Sequence, residues 1–296
     1  MEVATIITIR NRIKALREAY ETLRKGKESL LKIIDEAELP ENVYNSNAIE
    51  NSTLTLKETE KILLGIEVSR NVSLREVFEA KNLARVVEYL RSKSPELEFN
   101  EETILLLHKM LISNINDDIA GRFRKAGEYV RVGTYVAPAP EHIERLVESN
   151  ILQYLSDHDT YFADKIAHFH LEFEHTHPFI DGNGRIGRVL INYQLQLLGL
   201  PPIIIRNKEK QEYYQAFRDY DEKKNSRIME RIITLAIMES MHKRIAYLKG
   251  EEIIKLADYA KLIDKPLTSL INAAHRQSIS AFREKGVWKI SKTYSL

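Results

Sequence analysis

The amino-acid sequence predicts a mainly α-helical protein with one short β-hairpin and a small C-terminal unit. Eleven glycines and eight prolines are few for 296 residues, and apolar residues recur with the helical period along the whole chain. Between Gly121 and Pro140 the pattern changes, because residues 129–136 alternate polar with β-branched or aromatic side chains around a glycine, as a hairpin would. From about Glu251 the chain becomes locally basic, which indicates a separate unit.

The helical pattern begins near the N-terminus. An amphipathic helix is expected from Ile13 to Ile34, ending at the Leu39-Pro40 step because proline disfavours helix in the residue before it. A second, short helix is expected over Asn45–Asn51. The same period predicts further helices over Leu54–Leu64, Leu74–Leu90, Glu101–Ile112, Glu141–Leu155, Tyr161–Glu174, Gly187–Leu198, Glu209–Tyr220 and Ile228–Leu248.

We expect these elements to form three consecutive segments. A helical region would cover residues 1–95, a core would cover 96–248, and the C-terminal unit would cover 249–296. The last unit is expected to contain two short helices and a hairpin, which is similar to excisionase-like winged helix-turn-helix units. DNA binding through its second helix is one expectation, and docking of a protein target or packing is the other.

Composition excludes several classes of protein. Lys plus Arg number 44 against 43 Asp plus Glu, so the chain lacks the basic excess of a dedicated nucleic-acid coat. The absence of cysteine excludes disulfides and thiolate metal sites. The N-terminus lacks the pattern of a secretory signal, and no apolar run approaches the roughly 20 residues that cross a bilayer. We therefore expect a cytoplasmic protein without membrane contact.

The most informative stretch of the chain lies between two helical patterns and reads His-Pro-Phe-Ile-Asp-Gly-Asn-Gly-Arg-Ile-Gly-Arg. Gly182 and Gly184 let successive backbone N–H groups point at an anion, and the helix that follows adds its positive N-terminal end. Asn183 supplies an amide donor, while Arg185 and Arg188 supply planar guanidinium groups suited to phosphate oxygens. This pattern predicts a phosphate-binding loop.

Two further side chains of the same stretch suit chemistry on a phosphate. Asp181 offers a carboxylate to Mg²⁺, which favours oxygen ligands and is commonly shared between a carboxylate and substrate phosphates. His177 has an imidazole, whose unperturbed pKa of about 6.5 suits proton abstraction near neutrality. Together with the loop, these residues indicate a site for phosphoryl or nucleotidyl transfer.

The whole stretch resembles the signature of the Fic family, His-x-Phe-x-Asp/Glu-Gly-Asn-Gly-Arg-x-x-Arg, with no departure at a defining position. The resemblance implies a Fic-type helical bundle with a hairpin flap. Most members transfer AMP from ATP to Ser, Thr or Tyr of a target protein. By resemblance, His177 is the general base, Asp181 the Mg²⁺ ligand and Asn183 the α-phosphate anchor, while Arg185 engages the β-phosphate and Arg188 the γ-phosphate.

The resemblance extends from about Tyr44 to Leu248. Gly121-Arg122-Phe123-Arg124 and the hairpin look like the family's flap, whose exposed strand edge receives the target segment by β-augmentation. The flap residues expected to bind the target are Val130, Arg131, Val132, Gly133, Thr134 and Tyr135. Tyr213 and Tyr214 are expected in the adenine pocket. Asp221 stands where many relatives have an Asn facing adenine, which leaves the base preference open.

A second motif lies upstream, where Ser46 and Glu50 stand in Ser-Asn-Ala-Ile-Glu-Asn. Alone it is a serine-capped helical turn. Beside a Fic loop it resembles the family's inhibitory motif, Ser/Thr-x-x-x-Glu-Gly/Asn, on a helix over about 45–51. The resemblance implies that Glu50 pairs with Arg188 and thereby withholds it from the γ-phosphate. In some relatives the same glutamate also positions the water that removes AMP from a modified target.

Several alternatives stay open. His168, His170, His175 and His177 could suggest zinc, although we expect a structural hydrogen bond for His170. The loop could sense a nucleotide in a transcriptional regulator, although the intact histidine favours an enzyme. Relatives with this motif also transfer UMP, GMP, phosphocholine or phosphate. A homo-oligomer is compatible with all of these readings.

Overall fold

The computed structural model describes residues 2–93, 96–133 and 135–295, and the side chains from residue 8 onward. Within these residues the protein is mainly helical, with two small antiparallel sheets, so the predicted fold class is confirmed. The chain divides into two compact units. The central unit comprises Leu39–Gly199 and Ile204–Ile233, and the end unit comprises Met1–Glu38, Leu200–Ile203 and Thr234–Leu296.

This division differs from the three consecutive segments expected from the sequence. The predicted N-terminal region contributes residues to both units, and so does the predicted core. Two long helices, α2 (Glu28–Ile49) and α10 (Arg227–Lys249), continue across the boundaries at residues 38 and 233. Composition changes along the chain do not reveal such a division, because it depends on which distant segments pack together.

The N-terminal helices differ from the prediction. The expected helix over 13–34 is two helices, α1 (Glu2–Leu23) and α2, separated by a turn in which Gly26 has a φ of 72°. Pro40 lies inside α2 and does not end it. Proline removes one backbone donor but its φ is compatible with a helix, and buried Val43 and Ile49 on the following turns stabilise the continuation. The segment expected as a separate helix is therefore the last part of α2.

The central unit contains further helices, of which the first two along the chain belong to the predicted N-terminal region and the others to the predicted core. After α2 these are α3 (Leu56–Leu63), α4 (Leu74–Lys93), α5 (Glu101–Ile112), α6 (Ile143–Ser156), α7 (Phe162–Thr176), α8 (Asn183–Leu197) and α9 (Lys210–Lys223). Their apolar faces form one core that includes Phe99, Phe169, Phe173 and Phe179. Phe179 is fully buried beneath the glycine-rich stretch, which ties that stretch to the core.

The predicted hairpin is present between α5 and α6. Its strands are β1 (Arg131–Val132) and β2 (Tyr135–Val136), which pair Arg131 with Val136 and Val132 with Tyr135. The Ala137 N–H donates to the Val130 carbonyl at 3.1 Å and extends the pairing by one step. Thr134 lies outside the described residues.

The end unit contains β3 (Ile253–Lys255), α11 (Leu256–Leu262), α12 (Leu267–His275), β4 (Phe282–Glu284) and β5 (Val287–Ser291). The strands form an antiparallel sheet in the order β3-β5-β4. The two helices and the hairpin were predicted, whereas β3 was not, because its three residues precede α11 without a turn signal. Tyr259, Leu270, Ala274 and Ile290 belong to the small core of this unit.

The described residues contain no helix that is both long and apolar enough to span a bilayer.

Candidate active site

The site is built around the loop between α7 and α8. His177 caps α7 in a left-handed conformation, with φ 48° and ψ 61°, and its N–H donates to the Phe173 carbonyl at 3.0 Å. Gly182 caps the start of α8 with φ 87°, a conformation that glycine adopts without strain. Helix α8 therefore begins at Asn183 and not at Gly187 as expected, because Asn183 and the two residues after it already have helical backbone.

The loop is closed by its own asparagine. The Phe179 N–H donates to Asn183 Oδ1 at 2.9 Å, and Asn183 Nδ2 donates to the Phe179 carbonyl at 2.8 Å. Asn183 is nearly fully buried, and these two bonds satisfy its side-chain amide. Its side-chain amide thus holds the turn together, and its expected contact with an α-phosphate stays a prediction.

His108 of α5 packs against the loop and forms a hydrogen bond with its backbone. His108 stacks on Phe179 with ring centroids 3.6 Å apart and receives the Gly121 N–H on Nδ1 at 3.0 Å. The other nitrogen, Nε2, is then protonated and donates to the Asp181 carbonyl at 3.0 Å. Burial lowers the pKa of His108 to about 4, so the ring is neutral at pH 7. Nothing in the sequence pattern distinguished His108 from a core histidine.

Arg124 joins the base of the hairpin to the loop, a contact that the sequence did not predict. Its Nε donates to the His177 carbonyl at 2.9 Å, and its Nη2 donates to the Pro138 carbonyl at 2.9 Å. The Arg124 N–H also donates to the Pro178 carbonyl at 3.0 Å. Arg124 is buried, and its bonds connect the His177 backbone to the segment that follows the hairpin.

The imidazole of His177 is in the form that a general base needs. Burial lowers the pKa of His177 to about 4, with the Arg124 charge contributing to the same shift. At neutral pH the ring is therefore uncharged and has a lone pair available for a proton. In the chain, His177 ends α7 and α8 starts at Asn183, where backbone donors and the helix dipole favour negative charge.

On the far side of the loop, the predicted contact between Glu50 and Arg188 is present. Arg188 Nη2 donates to Glu50 Oε1 at 2.8 Å and to the Ser46 carbonyl at 2.8 Å, and Arg188 Nε donates to Ser46 Oγ at 2.9 Å. The guanidinium is buried, so these charge-assisted bonds act with little competition from water. Ser46 and Glu50 together hold the arginine that the sequence analysis assigned to the γ-phosphate.

The end of α2 is held by the same surroundings. Glu50 directly follows Ile49, the last residue of the helix, and Asn51 turns the chain with a φ of 66°. Tyr214 Oη donates to the Ile49 carbonyl at 2.6 Å. The Ser52 N–H donates to the Asn47 carbonyl at 3.0 Å, and the Asn51 N–H donates to the Ala48 carbonyl at 3.1 Å. Side chains of the central unit and a local turn thus occupy the helix end.

Gly184 lies in the first turn of α8, where its missing side chain leaves space for Glu50. A Cβ at this position would lie 2.2 Å from Glu50 Oε1 and 3.1 Å from Arg188 Nη1. Only glycine therefore lets the Glu50 carboxylate approach the first turn of α8. The glycine that was expected to open space for a phosphate is also the one that admits the glutamate.

Tyr213 lies behind Arg188 and does not face solvent. Its hydroxyl contacts His170 Nε2 at 2.7 Å and receives a weak hydrogen bond from Arg188 Nη1 at 3.4 Å. Burial lowers the pKa of His170 to about 3 and raises that of Tyr213, so both groups are neutral. The expected structural hydrogen bond of His170 is confirmed, while the nucleotide contact expected for Tyr213 and Tyr214 stays a prediction.

Glu174 is a buried carboxyl that the sequence analysis did not consider. Burial and, to a lesser extent, the negative charge of Glu50 raise its pKa to about 8, while the positive charge of Arg188 opposes this shift. At neutral pH Glu174 therefore carries a proton. Its position depends on Gly187, where a Cβ would lie 2.4 Å from Glu174 Oε1 and 2.7 Å from His170 Cε1. Helices α7 and α8 approach closely at this glycine.

We expect Gly187→Ala to lower the free energy of unfolding by about 1–3 kcal/mol, because the added methyl group overpacks this contact. Helix propensity alone predicts that the same change raises the free energy of unfolding by about 1 kcal/mol. The sign of the measured change therefore shows whether overpacking or helix propensity dominates. Urea unfolding followed by circular dichroism measures it. In the matched double variant, Glu174→Ala removes one of the clashing side chains and should recover part of the loss. A stability gain in Gly187→Ala would contradict the close packing.

Asp181 and Arg185 belong to a network of four alternating charges. Arg185 Nη2 donates to Asp181 Oδ1 at 2.8 Å, and Arg185 Nη1 lies 3.2 Å from Glu79 Oε1. Arg75 Nη2 donates to Asp181 Oδ2 at 2.5 Å, and Arg75 Nε donates to Glu79 Oε1 at 3.1 Å. Both oxygens of the expected metal ligand thus have an arginine partner. The pKa of Asp181 is lowered by the charges of Arg185 and Arg75, although its burial opposes this shift.

The hairpin contacts the chain near the loop through Tyr135. Its hydroxyl lies 3.1 Å from His175 Nε2, and the two rings stack with centroids 4.6 Å apart. His175 Nδ1 lies 2.6 Å from Asp221 Oδ1. The carboxylate expected near adenine thus has a protein partner. On the hairpin itself Arg131, Val132 and Gly133 are exposed.

The described residues contain no group of three or more His, Asp or Glu side chains arranged to hold a metal ion, and the four histidines near the loop do not converge. Any metal at this site would therefore depend on a single carboxylate and on ligands brought by the substrate.

The fold and the site together define a class of protein. Its chains are mainly helical, a glycine loop containing a histidine joins two core helices, and a glutamate at the end of another helix pairs with an arginine of the second core helix. Residues 98–195 match the model of the Fic/DOC family. The chain therefore carries a Fic domain of the Fic/DOC family.

Relatives with curated names support this membership. The chain is 32% identical over 211 residues to protein adenylyltransferase Fic of Drosophila grimshawi, covering 69% of this chain and 41% of that protein. It is 31% identical over 214 residues to the protein of the same name from Nematostella vectensis, covering 69% of this chain and 48% of that protein. The chain thus spans less than half the length of these relatives.

Solved structures are also similar. A Fic domain containing signaling protein from Bacteroides thetaiotaomicron has a TM-score of 0.71 and 26% sequence identity, over 81% of this chain and 97% of that one. A Fic family protein from Desulfovibrio desulfuricans has a TM-score of 0.66 at 19% identity, over 96% of this chain and 97% of that one, and supports the fold.

Proposed function

We propose that this protein is a protein adenylyltransferase, which transfers AMP from ATP to a Ser, Thr or Tyr hydroxyl of a target protein and of itself. The observation that carries the proposal is the complete loop, in which a neutral His177 stands beside the start of α8. The names of the similar proteins support the same activity.

The chemistry follows from the positions of the loop residues. The hydroxyl oxygen of the target attacks the α-phosphorus of ATP, and the bond from that phosphorus to the bridging oxygen breaks, releasing pyrophosphate. His177 takes the hydroxyl proton. The first N–H groups of α8 have no intrahelical partner and hold the α-phosphate, while Arg185 and Arg188 hold the remaining phosphates. Arg185 Nε is buried without a hydrogen-bond partner in the described part of the chain, which suits a ligand that arrives from outside.

Mg²⁺ fits this site through Asp181. That carboxylate lies in the loop directly before Gly182, and a magnesium ion commonly needs only one or two carboxylates when substrate phosphates complete its shell. When bound with ATP, the ion would neutralise charge on the phosphates. The residues of the chain itself would hold it by Asp181 alone, with Arg75 and Arg185 giving up part of their contact.

Glu50 is proposed to inhibit the enzyme. A guanidinium held by Glu50 and Ser46 cannot also grip the γ-phosphate, so the α-phosphate is not presented to the hydroxyl in line with the leaving group. The same carboxylate could position water for the reverse removal of AMP once Arg188 is occupied by another group. The partner of Arg188 is therefore proposed to decide whether AMP is added to the target or removed from it.

The target segment is proposed to add a strand to the hairpin. Val132 is 42% exposed and Val136 is 61% exposed, which is unusual for apolar residues in a β-ribbon and suits pairing with another strand. The residues proposed for this contact are Val130, Arg131, Val132, Gly133 and Tyr135, together with Thr134 outside the described residues.

We expect Val132→Pro to abolish modification of the target while nucleotide binding is retained, because proline deletes a backbone donor of the strand. Val132→Ala is the matched control, since it shortens the same side chain but keeps the N–H. Transfer of labelled AMP to a target protein measures the effect. Equal labelling by the proline variant and the parent would place target binding elsewhere.

The test of the proposed activity is incubation of the chain with each labelled nucleoside triphosphate in turn, followed by detection of label on the protein. Label from the α-position of ATP, and none from the γ-position, is expected for AMP transfer. Label only from another nucleotide would assign a different transferase, and binding without transfer would favour a nucleotide-sensing regulator. DNA binding by the end unit, a homo-oligomer and a cytoplasmic location stay predictions.

A further inference from the structure

Arg75 lies on the first turn of α4, far from the loop in sequence, yet its guanidinium is bonded to the loop carboxylate. Its Nη2 donates to Asp181 Oδ2 at 2.5 Å, and its Nε donates to Glu79 Oε1 at 3.1 Å. A positive group therefore stands where a cation would meet Asp181. The other oxygen of Asp181, Oδ1, accepts from Arg185 Nη2 at 2.8 Å, so each carboxylate oxygen has an arginine partner.

The side chains of Arg75 and Arg185 differ in exposure, and therefore in how easily each can separate from Asp181. The Arg185 side chain is 3% exposed and lies in α8 between Asp181 and Glu79. The Arg75 side chain is 57% exposed and reaches Asp181 from the solvent side. If Arg75 leaves Asp181, it keeps its neighbour one turn away, Glu79, so only one of its two ion pairs is lost. Arg75 is therefore the member of the network that can move.

We propose that Arg75 acts as an internal cation that competes with a divalent metal ion for Asp181, so that metal binding requires Arg75 to swing away from the loop. This inference rests on the proposed function, because it takes Asp181 as the metal ligand. It adds a second ion pair to a residue of the glycine-rich stretch, besides the pair of Glu50 with Arg188. Arg75 is a positioning residue in this account, since it touches neither the nucleotide nor the reacting atoms.

The size of the effect follows from the exposure of the pair. Ion pairs in exposed positions are weak, and a partly buried carboxylate strengthens them, so removal of Arg75 should tighten metal binding by roughly two- to tenfold. The apparent metal affinity is reduced by the fraction of molecules in which Arg75 covers Asp181, and removing the side chain abolishes that reduction. High salt should weaken the competition in the parent and leave the variant less affected.

The experiment is a titration of the full chain with Mn²⁺ in the presence of a non-hydrolysable ATP analogue, which supplies the phosphate ligands. The analogue is held below the concentration of the chain, and electron paramagnetic resonance counts the free ion. The variants are Arg75→Ala and Arg75→Gln, which remove the charge, and Arg75→Lys, which restores one. Arg70→Ala is the matched control, because Arg70 is paired with Glu58 at 2.6 Å and has no contact with the loop. Tighter Mn²⁺ binding is expected for the alanine and glutamine variants, and parental binding for the lysine variant and for Arg70→Ala.

Adding Asp181→Ala to Arg75→Ala should remove the gain in Mn²⁺ affinity. Unchanged or weaker binding in both uncharged variants would overturn the proposal, and so would a gain that survives the loss of Asp181. The same preparations are tested for transfer from labelled ATP. Transfer by the parent with no effect of Arg75 on Mn²⁺ would reject only the role of Arg75. Absence of transfer in every variant, and also in Glu50→Gly, which lacks the inhibitory carboxylate, would reject the proposed function.

Discussion

Replacement of His177 by alanine is expected to slow AMP transfer by about 10²–10⁴-fold, because the target hydroxyl loses the group that takes its proton. ATP binding should change little, since the phosphate contacts come from α8 and the arginines. The expected size is the usual contribution of a general base. Burial lowers the pKa of His177 to about 4, so at neutral pH the ring of the parent is uncharged and can accept a proton. Initial rates of label transfer from ATP measure the loss.

The control for this prediction is His158→Ala, which removes an exposed imidazole outside the loop. It should label at the parental rate. Nucleotide binding by both variants is measured by calorimetry, so that a slow reaction can be separated from weak binding. Equal labelling rates for His177→Ala and the parent, with binding unchanged, would end the assignment of His177 as the base.

The second large effect is expected from Glu50→Gly, which should raise self-labelling from ATP about ten- to hundredfold. A charge-assisted bond to a buried group contributes roughly 1.5–3 kcal/mol, and each 1.4 kcal/mol corresponds to a factor of ten. The substitution removes one of the bonds to Arg188 and leaves both bonds from Arg188 to Ser46. Release of the arginine is then expected to be partial, which favours the lower part of this range.

Controls isolate the carboxylate. Glu50→Gln keeps the size of the side chain and should give most of the gain, while Glu67→Gly changes an exposed glutamate outside the helices and should give none. Arg188→Ala should be inactive, and so should its combination with Glu50→Gly, because release is useless without the group released. Labelling by Glu50→Gly no faster than the parent, at several ATP and Mg²⁺ concentrations, would refute the inhibitory assignment.

Accumulated label has a second explanation, since Glu50 is also proposed to act in the removal of AMP. Chasing pre-labelled protein with unlabelled ATP separates the two. Release of label by the parent and none by Glu50→Gly would assign a hydrolytic function, whereas equal release would leave the carboxylate as an inhibitor only.

Much of the site could be predicted from the sequence because its residues are adjacent in the chain. The glycines, His177 and the two arginines belong to one stretch, and their local backbone follows from glycine chemistry and the start of a helix. The contact of Glu50 with Arg188 spans 138 positions, and it was expected only because two motifs resembled parts of one family.

Other residues of the site could not be predicted, because their functions depend on tertiary contacts. Arg75 and Glu79 resemble any helical ion pair until α4 is placed beside the loop. Arg124 resembles a surface arginine until its carbonyl partners are known, and the pKa of Glu174 is raised by its burial and by the nearby charge of Glu50. Pro40 misled the helix assignment, since its local preference was outweighed by packing of the residues that follow it.

The end of α2 links ligand binding to the local stability of a helix. A helix leaves its last four carbonyl groups without intrahelical donors, and here every one has a partner: Arg188 for Ser46, a local turn for Asn47 and Ala48, and Tyr214 for Ile49. Under the proposed function, a phosphate that takes Arg188 also takes the donor from the Ser46 carbonyl. Fraying of this helix end and binding of a phosphate to Arg188 therefore favour each other. Because such coupling is reciprocal, a change that stabilises the last turn of α2 lowers the affinity of Arg188 for the phosphate.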